Sequence, residues 1–255
     1  MVEYIWEDNQ LEAIILGCGP SVGVPSLRSG WGKCDPTNSK NKRTRTSVFF
    51  KNFQGSWLID ASPDLRFQCL SHNIAKIDGV LCTHAHMDHV GGLGDLVGFA
   101  SLGPIPFYAD TLTCTQLENM LPYAFSGKTR FLDLFSVHDL FYLFDLPVMP
   151  IIQKHGNTHS LGYRFPKWAY STDLVEISEE AFQMLEGIET WILACLSIYK
   201  NPKHAHLEKV LSWVERIKPR RTILTHMNSD LDYKELKAQL PFGVEPAFDG
   251  MHIFL

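Results

Sequence analysis

Residues 80–92 read Val-Leu-Cys-Thr-His-Ala-His-Met-Asp-His-Val-Gly-Gly, and no other stretch of the chain constrains its structure so closely. A short apolar, β-branched run empties into a loop carrying His84, His86, Asp88 and His89. While the backbone stays extended, side chains alternate with period two, so His84 and His86 point the same way and can grip one ion together. Asp88 and His89, beyond the turn, then face a second. Imidazole and carboxylate donors at this density suit first-row divalent cations, and two such ions about 4 Å apart clamp a shared water or a phosphate oxygen. A single histidine is more often solvated or hydrogen-bonded than metal-bound. Packing, however, gives no reason to place four costly polar groups at the end of an apolar strand. The string points to dinuclear hydrolytic chemistry.

Strand and helix signals alternate across all 255 residues without a repeat, low-complexity tract or linker, which predicts one α/β domain spanning 1–255. With 45% hydrophobic and 20% charged residues the core is ample, and a net charge of -5 argues against a generic nucleic-acid-coating surface. The six cysteines show no Cys-x-x-Cys spacing, and no cationic start followed by an apolar stretch marks export. Reduced thiols and a cytoplasmic location are expected. No apolar run reaches the roughly 20 residues of a membrane span, so a soluble protein is expected.

Further candidates fall at strand ends. A strand over 11–16 runs into the glycine-rich loop 17–25, which lacks both a P-loop ending and Rossmann spacing. Its expected role is to let the backbone pass close to the metals. The basic stretch 28–45 brings Arg43 and Arg45 to the entrance of a strand over 46–50, where one of them is expected to meet an anionic substrate. A strand over 57–60 ends in Asp60, which can accept the spare N–H of a ligating histidine or cap the following helix, although Ser62 and Asp64 fit the cap better. Strands over 148–152, 168–171 and 221–225 deliver His155, Asp173 and His226. His159, in a predicted loop, ranks below His155. Helical spacing covers 115–124 and 207–217, and the Phe-rich run 131–144 reads as a flap beside the site or a dimer contact.

The His-x-His-x-Asp-His string behind a strand resembles the hallmark of the metallo-β-lactamase superfamily. That resemblance implies a four-layer αββα sandwich with its site along one edge. It also implies that His84, His86 and His155 hold one ion, that Asp88, His89 and His226 hold the other, and that Asp173 bridges them. The shared water then becomes a hydroxide that attacks an electrophile lying across both metals. Lactam-cleaving relatives generally carry a Cys where Asp173 stands, so the aspartate resembles the phosphodiesterase, glyoxalase II and tRNA-processing branches. Within these, residues 16–17, 43–47, 58–60, 83–92, 173, 224–226 and 248–251 resemble the PhnP-like group, which includes a phosphodiesterase acting on phosphoribosyl 1,2-cyclic phosphate. His204 matches the position of a histidine that in this group is suited to meet the phosphate or protonate the leaving oxygen. His206 is its rival.

The expected function is therefore dinuclear metal-dependent hydrolysis of a small cyclic phosphate or nucleotide-like phosphate ester. Asp88, Asp173 and His204 are the catalytic residues expected, and His204, Arg43 and Arg45 the substrate contacts. Manganese and zinc both suit these donors. Members of the group often add a structural zinc on three closely spaced cysteines and a second histidine after the last catalytic one. Here only Cys34 stands in the cysteine region and Asn228-Ser229 follows His226, so the loop 28–42 is expected to fold without metal. A tRNA 3'-processing endonuclease and a non-catalytic metal carrier are the alternatives. The first needs an RNA-grasping arm, and no projecting basic segment offers one. No long nucleic acid partner is expected, and the Phe-rich run favours a homodimer.

Overall fold

The computed structural model describes residues 11–255. Its first strand, β1 (Glu12–Gly17), alternates Ala13 and Ile15 on one face with Ile14 and Leu16 on the other, and all four are buried. The sheet it joins is thus covered on both sides. That sheet also holds β2 (Ser47–Lys51), β3 (Ser56–Ile59), β4 (Gly79–Leu81), β5 (Ile105–Ala109) and β6 (Leu132–Ser136). A second sheet runs from β7 (Phe141–Leu143) through β8 (Leu146–His155), β9 (Thr158–Arg164), β10 (Trp168–Ser171), β11 (Thr190–Ala194) and β12 (Arg221–Thr225) to β13 (Val244–Pro246). The chain then returns to pair β14 (Met251–Phe254) with β1, giving two seven-stranded sheets.

Helices cover both outer faces. Leu65 and Cys69 of α1 (Leu65–Ser71), with α2 (Met87–Val90) following the metal string, pack on the outside of the first sheet, as do Cys114 and Leu117 of α3 (Thr111–Met120) and Ala124 of α4 (Pro122–Phe125). The second sheet is covered by α5 (Glu179–Leu185), α6 (Leu207–Ile217) and α7 (Tyr233–Gln239), which contribute Phe182, Trp213 and Leu236. Between the sheets, Phe50 stacks on Trp57 at 5.4 Å and meets Phe165 and Trp168 edge-on at 5.2 and 5.4 Å. The result is the αββα sandwich, metallo-β-lactamase fold, that the resemblance implied.

Strand direction decides where side chains can meet. β3, β4 and β5 are parallel neighbours in the first sheet, so the residues just after them, Asp60, His84 and Asp110, emerge at one rim. In the second sheet β10, β11 and β12 are parallel, and β8 runs the same way because β9 is antiparallel to both β8 and β10. His155, Asp173 and His226 therefore leave that sheet from a common rim as well. The N–H of Leu161 donates to the carbonyl of Thr83 at 2.8 Å and draws the two rims together. Ligand sites form at the carboxyl ends of parallel strands for this reason.

Several expectations need correction. The glycine loop packs chiefly on the segment 43–45, where a Cβ on Gly17 would strike the carbonyl oxygen of Arg45 and one on Gly19 would lie 2.8 Å from those of Arg43 and Thr44. It reaches the metal donors only through the Cys18 carbonyl, which accepts from the N–H of Met227 beside His226. The Phe-rich run forms no flap, because Leu132–Ser136 and Phe141–Leu143 are the terminal strands of the two sheets. Helical spacing at 115–124 hid a break. α3 starts at Thr111, where Asp110 accepts from the N–H of Thr113, and a new helix begins at Pro122, which lacks the N–H to continue the old one. α6 and β12 fall at their expected bounds. Among the described residues no helix is long and apolar enough to cross a membrane.

Candidate metal centre

Extended backbone through His86, with φ -68 and ψ 145, carries the first two histidines, and α2 then turns Asp88 and His89 back toward them. His84 Nε2 lies 2.8 Å from His86 Nδ1, and His155 Nε2 lies 3.3 Å from the same atom. A second set forms beside it, with His89 Nε2 3.3 Å from Asp88 Oδ2 and His226 Nε2 3.8 Å from that oxygen. Asp173 stands between the sets. Its Oδ2 is 3.0 Å from His89 Nε2 and 3.3 Å from His226 Nε2, whereas its Oδ1 faces His155 Nε2 at 3.7 Å and His204 Nδ1 at 3.4 Å.

The structure thus brings together all seven residues of the expected ligand set, plus His204. Each of the groups His84/His86/His155, His84/His89/Asp173, Asp88/His89/His226 and His155/Asp173/His204 offers donor atoms within 4.8 Å of one another. Buried polar atoms normally have hydrogen-bond partners. Here His89 Nε2, His204 Nδ1 and both ring nitrogens of His226 are buried without one. Imidazole and carboxylate donors converging in this way, several of them without a hydrogen-bond partner, are the donor set of a divalent cation.

Outer contacts orient three of the rings. His84 Nδ1 meets Thr83 Oγ1 at 3.0 Å, His89 Nδ1 meets Asp60 Oδ2 at 2.6 Å, and His155 Nδ1 meets the carbonyl of Lys203 at 3.0 Å. Asp60 is fixed in turn by the N–H and hydroxyl of Thr83, both at 2.8 Å. Of the two readings open for Asp60, contact with a histidine is the one realised, and Asp64 occupies the N-cap of α1. Such contacts set which ring nitrogen is free to ligate. Asp60, Asp173 and His226 all hold positive φ, at 62°, 50° and 55°. For side chains with a Cβ this costs on the order of 1–3 kcal/mol each, strain that concentrates at functional sites.

The donors also polarise one another. Burial alone would raise Asp88 and Asp173, but His226 and His89 override it and hold both carboxyls below the usual carboxylate range. Burial would lower His89, yet Asp173 and Asp60 raise it well above an ordinary imidazole. Burial prevails at His84 and His155, which are lowered, and at His204, which is pushed down to about 4.

Other candidates sit elsewhere. Arg43 is 1% exposed, and its guanidinium is spent on the carbonyls of Asn228 at 2.8 Å and Leu231 at 2.5 Å, so it does not face a substrate. Arg45 pairs with Asp64 at 3.1 Å. His206 turns from the cluster toward Glu208 at 3.7 Å, leaving His204, whose ring stacks on His226 at 5.1 Å, as the histidine beside the donors. His159 lies on β9 and bonds Asp110 across the two rims. Sequence reasoning passed over Thr83 and Asp110. For Asp110 a signal existed, since it follows an apolar strand as Asp60 does.

A family model described as a β-lactamase superfamily domain matches residues 56–227. The chain belongs to the β-lactamase superfamily. A crystal structure of a diphosphatase from the PhnP family superposes with a TM-score of 0.90 at 32% identity, covering 95% of this chain and 97% of that one. The superfamily member described here is also 31% identical over 254 residues to a Porphyromonas gingivalis protein named octanoyltransferase, covering 96% of this chain and 52% of that protein. It is 28% identical over 124 residues to a Bacillus anthracis exodeoxyribonuclease, YycJ, covering 47% of this chain and 45% of the relative. The chain thus spans about half the length of the curated relatives it matches. The donor groups described above are thus carried on a β-lactamase superfamily chain.

Proposed function

We propose that the protein is a dinuclear phosphodiesterase that hydrolyses a small cyclic phosphate or a nucleotide-like phosphate ester, diphosphate esters included. The observation that carries this reading is Asp173, which turns one carboxylate oxygen toward each histidine set. His84, His86 and His155 would hold one divalent ion, manganese or zinc, and Asp88, His89 and His226 the other. Ions so held supply Lewis acidity and neutralise the charge of a phosphoryl group during in-line displacement.

The chain's own residues do the rest. Thr83, Asp60 and the Lys203 carbonyl lock the rings in the tautomers that leave ligating nitrogens free. His204 borders Asp173 and is half-buried, and with its pKa pushed down to about 4 by burial it is neutral at pH 7. It would therefore meet the phosphate or the leaving oxygen as a neutral N–H hydrogen-bond donor and not as an acid with a proton to give. Acyl transfer, the activity named for the Porphyromonas protein, finds no thiol nucleophile. All six cysteines are buried, and burial raises each of them. We place the protein in the cytoplasm, where buried thiols without a disulfide partner stay reduced. Phe135, Tyr142 and Phe144, exposed at the sheet termini, support a homodimer contact, which sedimentation of the purified protein tests.

The metal-loaded protein should turn over bis-p-nitrophenyl phosphate and either a cyclic ribose phosphate or a nucleoside diphosphate ester. Cleavage of a precursor tRNA alone would replace this reading with tRNA 3'-end processing. Two bound ions with no turnover of any of these would make the chain a metal carrier.

A further inference from the structure

His226 differs from the other buried histidines of the centre. His84, His89 and His155 each have one ring nitrogen bonded to Thr83, Asp60 or the Lys203 carbonyl. Neither nitrogen of His226 has a hydrogen-bond partner, and its backbone holds the left-handed φ of 55°. No hydrogen bond fixes the ring, which stacks on His204 at 5.1 Å and on His89 at 5.9 Å, so where its nitrogens point depends directly on the backbone that carries it.

That backbone is clamped by a cation. Beyond His226 the chain makes a turn whose carbonyls point inward onto Arg43. Nη1 reaches Asn228 O at 2.8 Å and Met227 O at 3.4 Å, while Nη2 reaches Leu231 O at 2.5 Å and Asn41 Oδ1 at 3.4 Å. The remaining contacts close the same turn. The Ser229 carbonyl accepts from the N–H of Lys33 at 2.8 Å, the Cys34 thiol reaches the carbonyls of Ser229 and Leu231 at 3.6 and 3.5 Å, and the N–H of Met227 donates to Cys18 O at 2.8 Å. A planar guanidinium can serve several carbonyls in fixed directions at once, which the point charge of a lysine cannot.

We infer that Arg43 is a positioning residue for the metal centre: by gathering the carbonyls of Met227, Asn228 and Leu231 it sets the His226 backbone and, through it, the Asp88/His89/His226 donor set. This deepens the dinuclear reading and rests on His226 being a ligand. The inference separates the two ions, because the His84/His86/His155 set makes no contact with the clamp.

The test is stepwise removal of manganese or zinc by a competing chelator from the wild-type protein, Arg43→Met, Arg43→Lys and His226→Ala, with metal content measured per chain and unfolding followed in parallel. Arg43→Met should keep a cooperative unfolding transition and lose about tenfold or more in affinity for one ion, as removal of supports behind ligands does, while the other ion stays as tightly held as in wild type. Arg43→Lys should show the same split, smaller. Millimolar guanidinium added to Arg43→Ala should restore the weakened ion. Wild-type affinity for both ions in Arg43→Met, or equal weakening of both, would overturn the inference. If Arg43→Met does not fold, Arg43→Lys decides on the same criterion. Unchanged binding of both ions in His226→Ala would instead overturn the ligand assignment, and so distinguishes that failure from a failure of Arg43.

Discussion

Two buried polar clusters lie next to each other in the chain and are satisfied in opposite ways. At the rim, nitrogens of His89, His204 and His226 are buried without partners. One residue further on, the carbonyls of Met227, Asn228 and Leu231 converge on the two terminal nitrogens of Arg43, a cation that the chain itself supplies and of which only Nε lacks a partner. A buried polar atom left unpaired costs about 1–3 kcal/mol. A fold that leaves several at one point while satisfying the adjacent turn from within is holding the first group for something it does not encode. The clamp is an internal ion site with its ion built in, and the rim has the donor groups of one that would take metal from outside.

The largest expected effect breaks the rim alone. In Asp173→Ala the two donor sets lose the carboxylate that faces both, and kcat/KM on bis-p-nitrophenyl phosphate should fall by at least about a thousandfold, roughly 4 kcal/mol. Because Asp173 is not part of the clamp, the variant stripped of metal should unfold cooperatively. A variant retaining two ions and a tenth or more of the activity would remove Asp173 from the centre of the chemistry.

The rim was far more legible in the sequence than the clamp. His84, His86, Asp88 and His89 form a local string, and His155, Asp173 and His226 each close an apolar strand, so period-two alternation and strand ends were enough to find them. Arg43 sits in a basic loop at a strand entrance, where an arginine reads as a contact for an anionic substrate, and its partners are about 185 positions away, as in its bond to Asn228. No local pattern reports a contact of that span. The left-handed backbones of Asp60, Asp173 and His226 were equally hidden, because a side chain with a Cβ gives no sign that tertiary contacts force it there. α7 was readable and was missed: Asp232 at its N-cap accepts from the N–H groups of Lys234 and Glu235, a start signal of the kind that marks α5.

Asp249 tests the clamp's side of the comparison. It accepts from the N–H and thiol of Cys18 and from the N–H and hydroxyl of Thr44, next to Arg43, yet burial raises its carboxyl to about 6. A group raised in the fold above its unfolded value stabilises fully below the unfolded pKa, and that contribution is lost as pH rises through the folded one. A rise from 3.8 to about 6 corresponds to about 3 kcal/mol. In urea unfolding of the metal-free proteins between pH 4 and 7, the stability of wild type relative to Asp249→Asn should therefore fall as pH rises through about 6. A difference that is flat or grows with pH would mean that the four donors keep the carboxylate ionised.

The smallest effect sharpens the comparison, because Asp60 belongs to the rim but is itself fully partnered. It takes two hydrogen bonds from Thr83 and one from His89, so it acts on the centre directly by orienting His89 and, at one remove, on His84 through the Thr83 hydroxyl. Asp60→Asn keeps the shape but replaces a carboxylate with a neutral amide, which weakens its hold on the His89 ring and lowers the basicity of the ligating nitrogen. Metal affinity should drop by about 10- to 100-fold, as it does when a partner behind a ligating histidine is changed. The ion held with Asp88 and His226 should be the one more affected, as it is in Arg43→Met, although the two substitutions reach it from different strands. Combining them should then give losses that add in free energy, since the two supports share no side-chain contact. A double variant no worse than either single one would mean that His89 and His226 are held by one structural unit, and the division into a rim and a separate clamp would fail.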